Sequence, residues 1–476
     1  MNSPAQQTIE ESLYEVRKKI YPRAVSGVFA RWRVALVVLT QLLFYGAPWL
    51  SWNDRPAVLF DLAQRKFYIG PLVLWPQDVI YLTLLLILSA LSLFLFTAVA
   101  GRLFCGYACP QTVYTEIFMW IERKVEGDRF ARIRLDGEEW PWRFRKWRLK
   151  LTKHGLWLLI AGWTGFTFVG YFTPIHELAA GVLAWSLGPW QTFWLCFYSF
   201  ATWGNAGFMR EQVCKYMCPY ARFQSVMVDL DTFVVTYDKR RGEPRGGRAK
   251  AADYKAAGLG DCVDCNICVQ VCPTGIDIRD GLQYMCVGCG ACVDACNQVM
   301  DKMSYPRGLI RYTTERAIDE GLSEAGARSH LLRPRVLIYG GILLILCAAF
   351  VGSLMLRNPL RVDVMRDRGA LAREVAGGQL ENIYRLQIMN ASEHAMKIEV
   401  AVSGLPELQL LDGSGRPVGA FTVNAASNLL LPLKVRIPAD TAMPGAHTLF
   451  FAVRGEESDT QAIRLRDEKS SFIIPR

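Results

Sequence analysis

Eight cysteines between Cys262 and Cys296 constrain this chain more than any other feature it carries. Cys262, Cys265, Cys268 and Cys272 follow the spacing Cys-x2-Cys-x2-Cys-x3-Cys with Pro273 next, and Cys286, Cys289, Cys292 and Cys296 repeat it. Three closely spaced cysteines wrap a loop around one face of an iron–sulfur cubane, and the fourth, beyond a tight turn, reaches across to the other cluster. The spacing therefore assigns Cys262, Cys265, Cys268 and Cys296 to one [4Fe-4S] cluster, and Cys286, Cys289, Cys292 and Cys272 to a second. Gly288 and Gly290 allow the backbone to approach the cluster sulfurs closely. Asn297 departs from the common pattern, which has a second proline there. Zinc shares the ligand type, but zinc ribbons use separated cysteine pairs, so two interlocked quartets fit it poorly.

The rest of the chain reads as membrane protein. Of 476 residues, 51% are hydrophobic, and the mean hydropathy is +0.15. Five stretches lack charge over about the twenty residues that cross a hydrocarbon core as a helix: 34–52, 79–100, 155–175, 188–208 and 336–356. The fourth lies in a longer uncharged run, 178–209, and holds Pro189, so a re-entrant piece is an alternative there. Trp49, Trp52, Trp75, Trp185 and Trp190 sit near span ends, as an interfacial aromatic belt would place them. The net charge of +10 is bunched beside these spans, which argues for membrane orientation and against nucleic acid.

Lys and Arg set the topology. Twelve lie between Arg102 and Lys153, three in 53–78 and none in 174–187. The positive-inside rule makes 102–153 cytoplasmic. Alternation then puts the N-terminus and 209–335 in the cytoplasm, where thiolates survive, and sends everything after Leu356 to the periplasmic side. No small-residue cleavage site precedes the first span, so it is expected to stay in the mature protein. The expected divisions are a cytoplasmic segment 1–33, a four-helix membrane domain 34–210, a cytoplasmic segment 211–335 with an α+β ferredoxin-like domain at about 255–305, a fifth helix 336–356, and a domain 357–476. In the last, β-rich runs at 384–389, 397–402, 429–437 and 448–453, separated by turn residues, predict an all-β sandwich.

Other cysteines form a second pattern. Cys105-Gly-Tyr-Ala-Cys109-Pro110 and Cys214-Lys-Tyr-Met-Cys218-Pro219 share the form Cys-x-Tyr-x-Cys-Pro, and each follows an outward-to-inward span. The four thiols could converge at a pseudo-symmetric site suited to Cu(I) or an iron–sulfur unit; unrelated buried thiols or a redox dithiol are the alternatives. The proline fits the first turn of a helix, and 112–125 reads as an amphipathic helix along the bilayer. Cys196 and Cys347 stand alone inside spans and read as packing residues. His154 and His176 lie at opposite ends of the third span, too far apart to share a haem. From Asp261 to Asp301 there are six aspartates and one arginine, an acidic face for a basic partner or a merely solvated one. The basic tract 238–250 reads as a tether hugging anionic headgroups.

These elements together, with the tract 237–246 and their order along the chain, resemble the FixG/CcoG accessory proteins of cbb3-type cytochrome c oxidase. The resemblance implies a role in oxidase maturation and copper delivery. It places reduction of Cu(II) to Cu(I) on the cytoplasmic side at Cys105, Cys109, Cys214 and Cys218, makes the eight ferredoxin cysteines an electron relay, and makes the C-terminal domain immunoglobulin-like and periplasmic. It implies membrane lipid and oxidase subunits or copper-delivery proteins as partners, leaves the electron donor unnamed, and leaves a homodimer open. Two other functions compete: a quinol-oxidising subunit akin to the membrane ferredoxins of periplasmic nitrate reduction, which are expected to lack the β domain, and a non-catalytic assembly scaffold.

Overall fold

The computed structural model describes all residues except 1–18, 54, 251, 323–325, 327–331, 368–371, 376, 441–442, 460 and 476. The chain forms two compact units, Met1–Trp49 with Leu84–Cys347, and Leu50–Thr83 with Ala348–Arg476.

The second unit is a two-sheet sandwich. Strands Leu360–Arg366, Gln379–Asn390, Gln409–Asp412 and Asn428–Pro438 lie in one sheet, and Met396–Ser403, Phe421–Val423, Gly445–Glu457 and Ile463–Ile474 make the other. All four β runs expected from the sequence are present and extend further. Alternation fixes the register: Tyr384, Leu386 and Ile388 turn inward to meet Leu433, Val435, Phe451 and Phe472. Each such side chain taken fully out of water contributes roughly 1.5–3 kcal/mol, which is why this cysteine-free domain needs no disulfide. Residues 58–74, unassigned by the sequence reading, add a three-stranded antiparallel sheet. Trp75 is buried beside Val73, Met389 and Ala391, so it belongs to this core and not to an aromatic belt. Asp78 is buried between Arg357 at 2.5 Å and Arg361 at 3.1 Å.

Three helices are long and apolar enough to span a membrane: Val28–Trp49, Pro76–Ala100 and Pro334–Met355. The two other expected spans differ. The helix Phe144–Gly170 stops before Pro174, so its uncharged part is shorter than the run 155–175, and a longer window takes in Lys153 and His154. The uncharged run 178–209 breaks into Ile175–Leu183 and Pro189–Gly204, with Trp185 in a left-handed conformation between them, and unwinds to a wider turn at Asn205–Met209. Proline at 189 can open a helix but not continue one, which explains the break.

Within the first unit, the helix Pro110–Glu126 does not lie free on a surface. Phe118 and Ile121 pack on Trp157, Ala161 and Ala206. Its buried Glu122 pairs with Arg132 at 3.1 Å and Arg210 at 3.0 Å, and Glu126 with Lys150 and Lys153, both at 2.9 Å. Much of the positive charge of 102–153 thus neutralises buried carboxylates, which would be costly unpaired. Cys196 is exposed on its helix and Cys347 is half-buried; neither is a core residue.

The ferredoxin-like part has a two-stranded antiparallel sheet, Val234–Tyr237 against Ile310–Thr313, and a helix Ala291–Met303. The basic tract is not a loose tether. Arg241 pairs with Asp261 at 2.5 Å, Arg248 donates to the Gly260 carbonyl at 2.7 Å, and Tyr237 donates to Glu243 at 3.1 Å. The aspartates are likewise engaged internally: Asp264 and Asp277 by Arg279, Asp301 by Arg307, and Asp294 by backbone N–H groups. Asp264, Asp280 and Asp301 nonetheless keep exposed side chains.

Candidate functional site

The eight ferredoxin cysteines lie close together, Cys262, Cys265 and Cys268 near Cys296, and Cys272, Cys286, Cys289 and also Cys268 near Cys292. Burial, and then the proximity of Cys268, Cys262 and Cys265, pushes the Cys296 thiol up to about 12. Cys292 is raised by burial and then by Cys289, Cys286 and Cys272, with Cys268 last among its neighbours. Cys268, Cys272, Cys286, Cys289 and Cys292 wall one enclosed cavity with apolar neighbours. Gly288 and Gly290 both adopt positive φ, +66° and +69°, where a side chain is strained. Asn297, in the place of the second proline, accepts from the Gly308 N–H at 3.0 Å. Among the described residues no three His, Cys, Asp or Glu side chains converge tightly enough for a single ion. An all-thiol, largely apolar-walled donor set fits iron–sulfur clusters.

The paired motifs meet. Cys105 is on the short helix Leu103–Tyr107, and Cys214 on the wide turn Val213–Met217. Cys109 and Cys218 are the N-caps of Pro110–Glu126 and Pro219–Met227, each with proline in the first turn. The halves are held together by the Glu122–Arg210 ion pair and by Gln111, which donates to the carbonyls of Asn205 at 3.0 Å and Arg210 at 3.1 Å. Arg102 donates to the Ala221 carbonyl. The Cys105 thiol donates to Gln224 at 3.4 Å.

All four thiols are half-buried, and Cys214 is near enough to Cys109 and Cys218, and Cys105 to Cys109 and Cys214, to feel their charge. Burial, then the nearby Cys109, pushes Cys105 up to about 12, with Cys214 a smaller contributor. Burial, then Cys109 and Cys218, pushes Cys214 up to about 11. Without a cation Cys105 and Cys214 stay protonated at neutral pH, and a thiophilic metal has to displace their protons.

This site abuts the cluster loop. Cys105 packs against the buried group Val271, Val287, Cys289, Ala291 and Ala295. A Cβ on Gly106 would stand 2.7 Å from the Val287 carbonyl oxygen and 3.1 Å from Cys289 Cα, so only glycine allows this approach. Tyr107 donates to the Cys289 carbonyl at 3.2 Å, and Tyr312 donates to that of Gly288. Asp294 accepts from Phe29 N–H at 3.3 Å and Ala30 N–H at 2.8 Å, capping the first apolar helix from outside it. Gly27 leaves room for that carboxylate, since a Cβ there would lie 2.2 Å from Asp294 Cγ. The sequence reading missed Gly27, Gly106, Glu122, Arg210 and Asp294; a glycine between Cys105 and Tyr107 was the one local signal available. His154 stacks on Phe208 and His176 meets Trp49 edge-on, apart from each other as expected.

Residues 209–315 match the family of 4Fe-4S dicluster domains, residues 82–126 that of 4Fe-4S binding domains, and residues 350–475 the immunoglobulin-like fold at the C-terminus of FixG. Protein RdxB of Cereibacter sphaeroides is 41% identical over 454 residues, 94% of each chain. The nitrogen fixation protein FixG of Rhizobium meliloti is 37% identical, covering 89% of this chain and 87% of its own. Protein RdxA of Cereibacter sphaeroides is 38% identical, covering 87% of this chain and 89% of its own. With iron–sulfur domains and apolar helices of spanning length, the chain is a membrane iron–sulfur electron-transfer protein, and it belongs to the FixG and RdxA family.

Proposed function

We propose that the chain is a multi-pass inner-membrane protein that reduces Cu(II) to Cu(I) at Cys105, Cys109, Cys214 and Cys218 on the cytoplasmic side, in service of cbb3-type oxidase assembly. The contact of Gly106 and Tyr107 with the Val287–Cys289 loop supports this reading, because it brings the first of the two motifs against the loop that carries Cys289. In this reading Cys262, Cys265, Cys268 and Cys296 hold one cluster, and Cys286, Cys289, Cys292 and Cys272 the other. Bound, the clusters supply single electrons, and each electron converts one Cu(II) to Cu(I). The chain's own contribution is the thiol set. Soft sulfur ligands favour Cu(I) over Cu(II), so they raise the driving force for reduction and retain the product. Their open arrangement suits an ion that arrives and leaves, to be handed to oxidase subunits or copper-delivery proteins.

The test is anaerobic. Protein with dithionite-reduced clusters is mixed with Cu(II) and a Cu(I)-specific chromophoric chelator, as parent and as Cys105→Ala/Cys109→Ala and Cys214→Ala/Cys218→Ala variants. The parent is expected to form Cu(I) as its clusters reoxidise, and both variants to keep their clusters but lose rapid Cu(I) formation. Variants as fast as the parent would contradict the assignment.

A further inference from the structure

A cavity of about 530 Å³ opens beside the second cluster loop, and Cys286 forms part of its wall. Its volume is in the range of small-molecule sites. Ala100, which ends the apolar helix Val79–Ala100, lines it, as do Leu230, Leu282 and the carboxylates Asp229 and Glu315. Asp229 pairs with Arg333 at 2.5 Å and Arg335 at 3.0 Å, the residues that open the apolar helix Pro334–Met355. Arg333 also donates to the Ala98 carbonyl at 2.6 Å. The cavity therefore lies where the C-terminal end of one apolar helix meets the N-terminal start of another, which for two membrane spans is the membrane surface. Its rim is apolar: Leu230 is 52% and Leu282 38% exposed.

We propose that this cavity binds the ring of a membrane quinol, the electron donor to the clusters. The location selects a lipid-soluble ligand, the cluster cysteine Cys286 in the wall selects a redox ligand, and Glu315 offers a carboxylate to pass on its protons. A nucleotide donor would need free cations or a phosphate-cradling helix N-terminus; here carboxylates face the cavity, and Arg102 is turned to the Ala221 carbonyl. The step balances. One quinol gives up two electrons, one to each cluster, and two protons, which pass by way of the Glu315 carboxylate to water, and quinone leaves. This shares with the copper reading only the clusters as relay.

Two measurements test it, both without copper. A short-chain azidoquinone is photolysed with the intact protein, and labelled peptides are mapped. Separately, dithionite-reduced protein is mixed with a short-chain quinone, and cluster reoxidation, the reverse of the proposed step, is followed in stopped flow. Labelling is expected on peptides around Leu230 and Leu282, displaced by unlabelled quinone, and the reoxidation rate should saturate with quinone concentration. Leu230→Trp, which fills the cavity, should cut both at least tenfold while copper-driven reoxidation stays as in the parent. If that variant loses its clusters, Leu282→Trp carries the same expectation. Labelling elsewhere, a rate rising linearly without saturation, or cluster-loaded variants that behave like the parent would overturn the proposal. Failure of copper reduction would leave these readouts untouched.

Discussion

The two Cys-x-Tyr-x-Cys-Pro motifs look equivalent in sequence and are not equivalent in the fold. In the first, Tyr107 is buried and bonds the Cys289 carbonyl, and Gly106 is pressed on the cluster loop. In the second, Tyr216 is 68% exposed, and Lys215 stands where the glycine was. The shared part, a cysteine N-cap followed by proline, does the same job twice by starting a helix and presenting a thiol. The variable part differs: the first motif is pressed on the loop that carries Cys289, and the second presents an exposed tyrosine. In the proposed copper reading, the repeat supplies the ligands and the first motif alone faces the clusters.

The division can be broken at one atom. Gly106→Val puts a branched side chain where a Cβ already meets the Val287 carbonyl at 2.7 Å, and small displacements of redox partners are costly. Cluster-to-copper electron transfer should fall by about a hundredfold, with iron and sulfide content retained, whereas Lys215→Val should stay within about twofold, its neighbour Tyr216 being exposed. Stopped-flow reoxidation checks both. The thiols themselves predict a pH effect. Because Cys105 and Cys214 are pushed up to about 12 and about 11, Cu(I) binding releases their protons, and apparent affinity should rise about tenfold per pH unit for each proton displaced. The rise continues until those values are approached; a competition titration between pH 6 and pH 9 that shows a flat response would contradict it.

Smaller effects sharpen the same contrast. Tyr107→Phe removes the bond to the cluster loop, a loss of about 1 kcal/mol, and should lower the thermal midpoint followed by cluster absorbance; Tyr216→Phe should leave it unchanged. Asp294→Asn keeps an acceptor for Phe29 and Ala30 but removes the charge at the helix N-terminus, about 0.5 kcal/mol, read by the same melt.

Sequence legibility followed locality. The ferredoxin ligands lie within one segment, so spacing alone groups them, and the β runs of the sandwich alternate visibly. What escaped depends on partners distant in sequence: Asp294 on Phe29 and Ala30, Glu122 on Arg210, and Gly106 on Cys289. Charge runs misled in one sense, because Arg241 and Arg248 of the tract 238–250 bind acceptors in the ferredoxin-like part. Uncharged length misled in another, because it does not register where Pro174 and Pro189 interrupt a helix.

The central claim is that electrons pass from the clusters to copper held by the four thiols. Freeze-quench electron paramagnetic resonance reads both ends at once, after one equivalent of Cu(II) is added anaerobically to cluster-reduced protein. The expected result is decay of the reduced-cluster and Cu(II) signals at one common rate, abolished when Cys105, Cys109, Cys214 and Cys218 are all alanine. Loss of the Cu(II) signal while the clusters remain reduced, or common decay that survives the fourfold substitution, would contradict it.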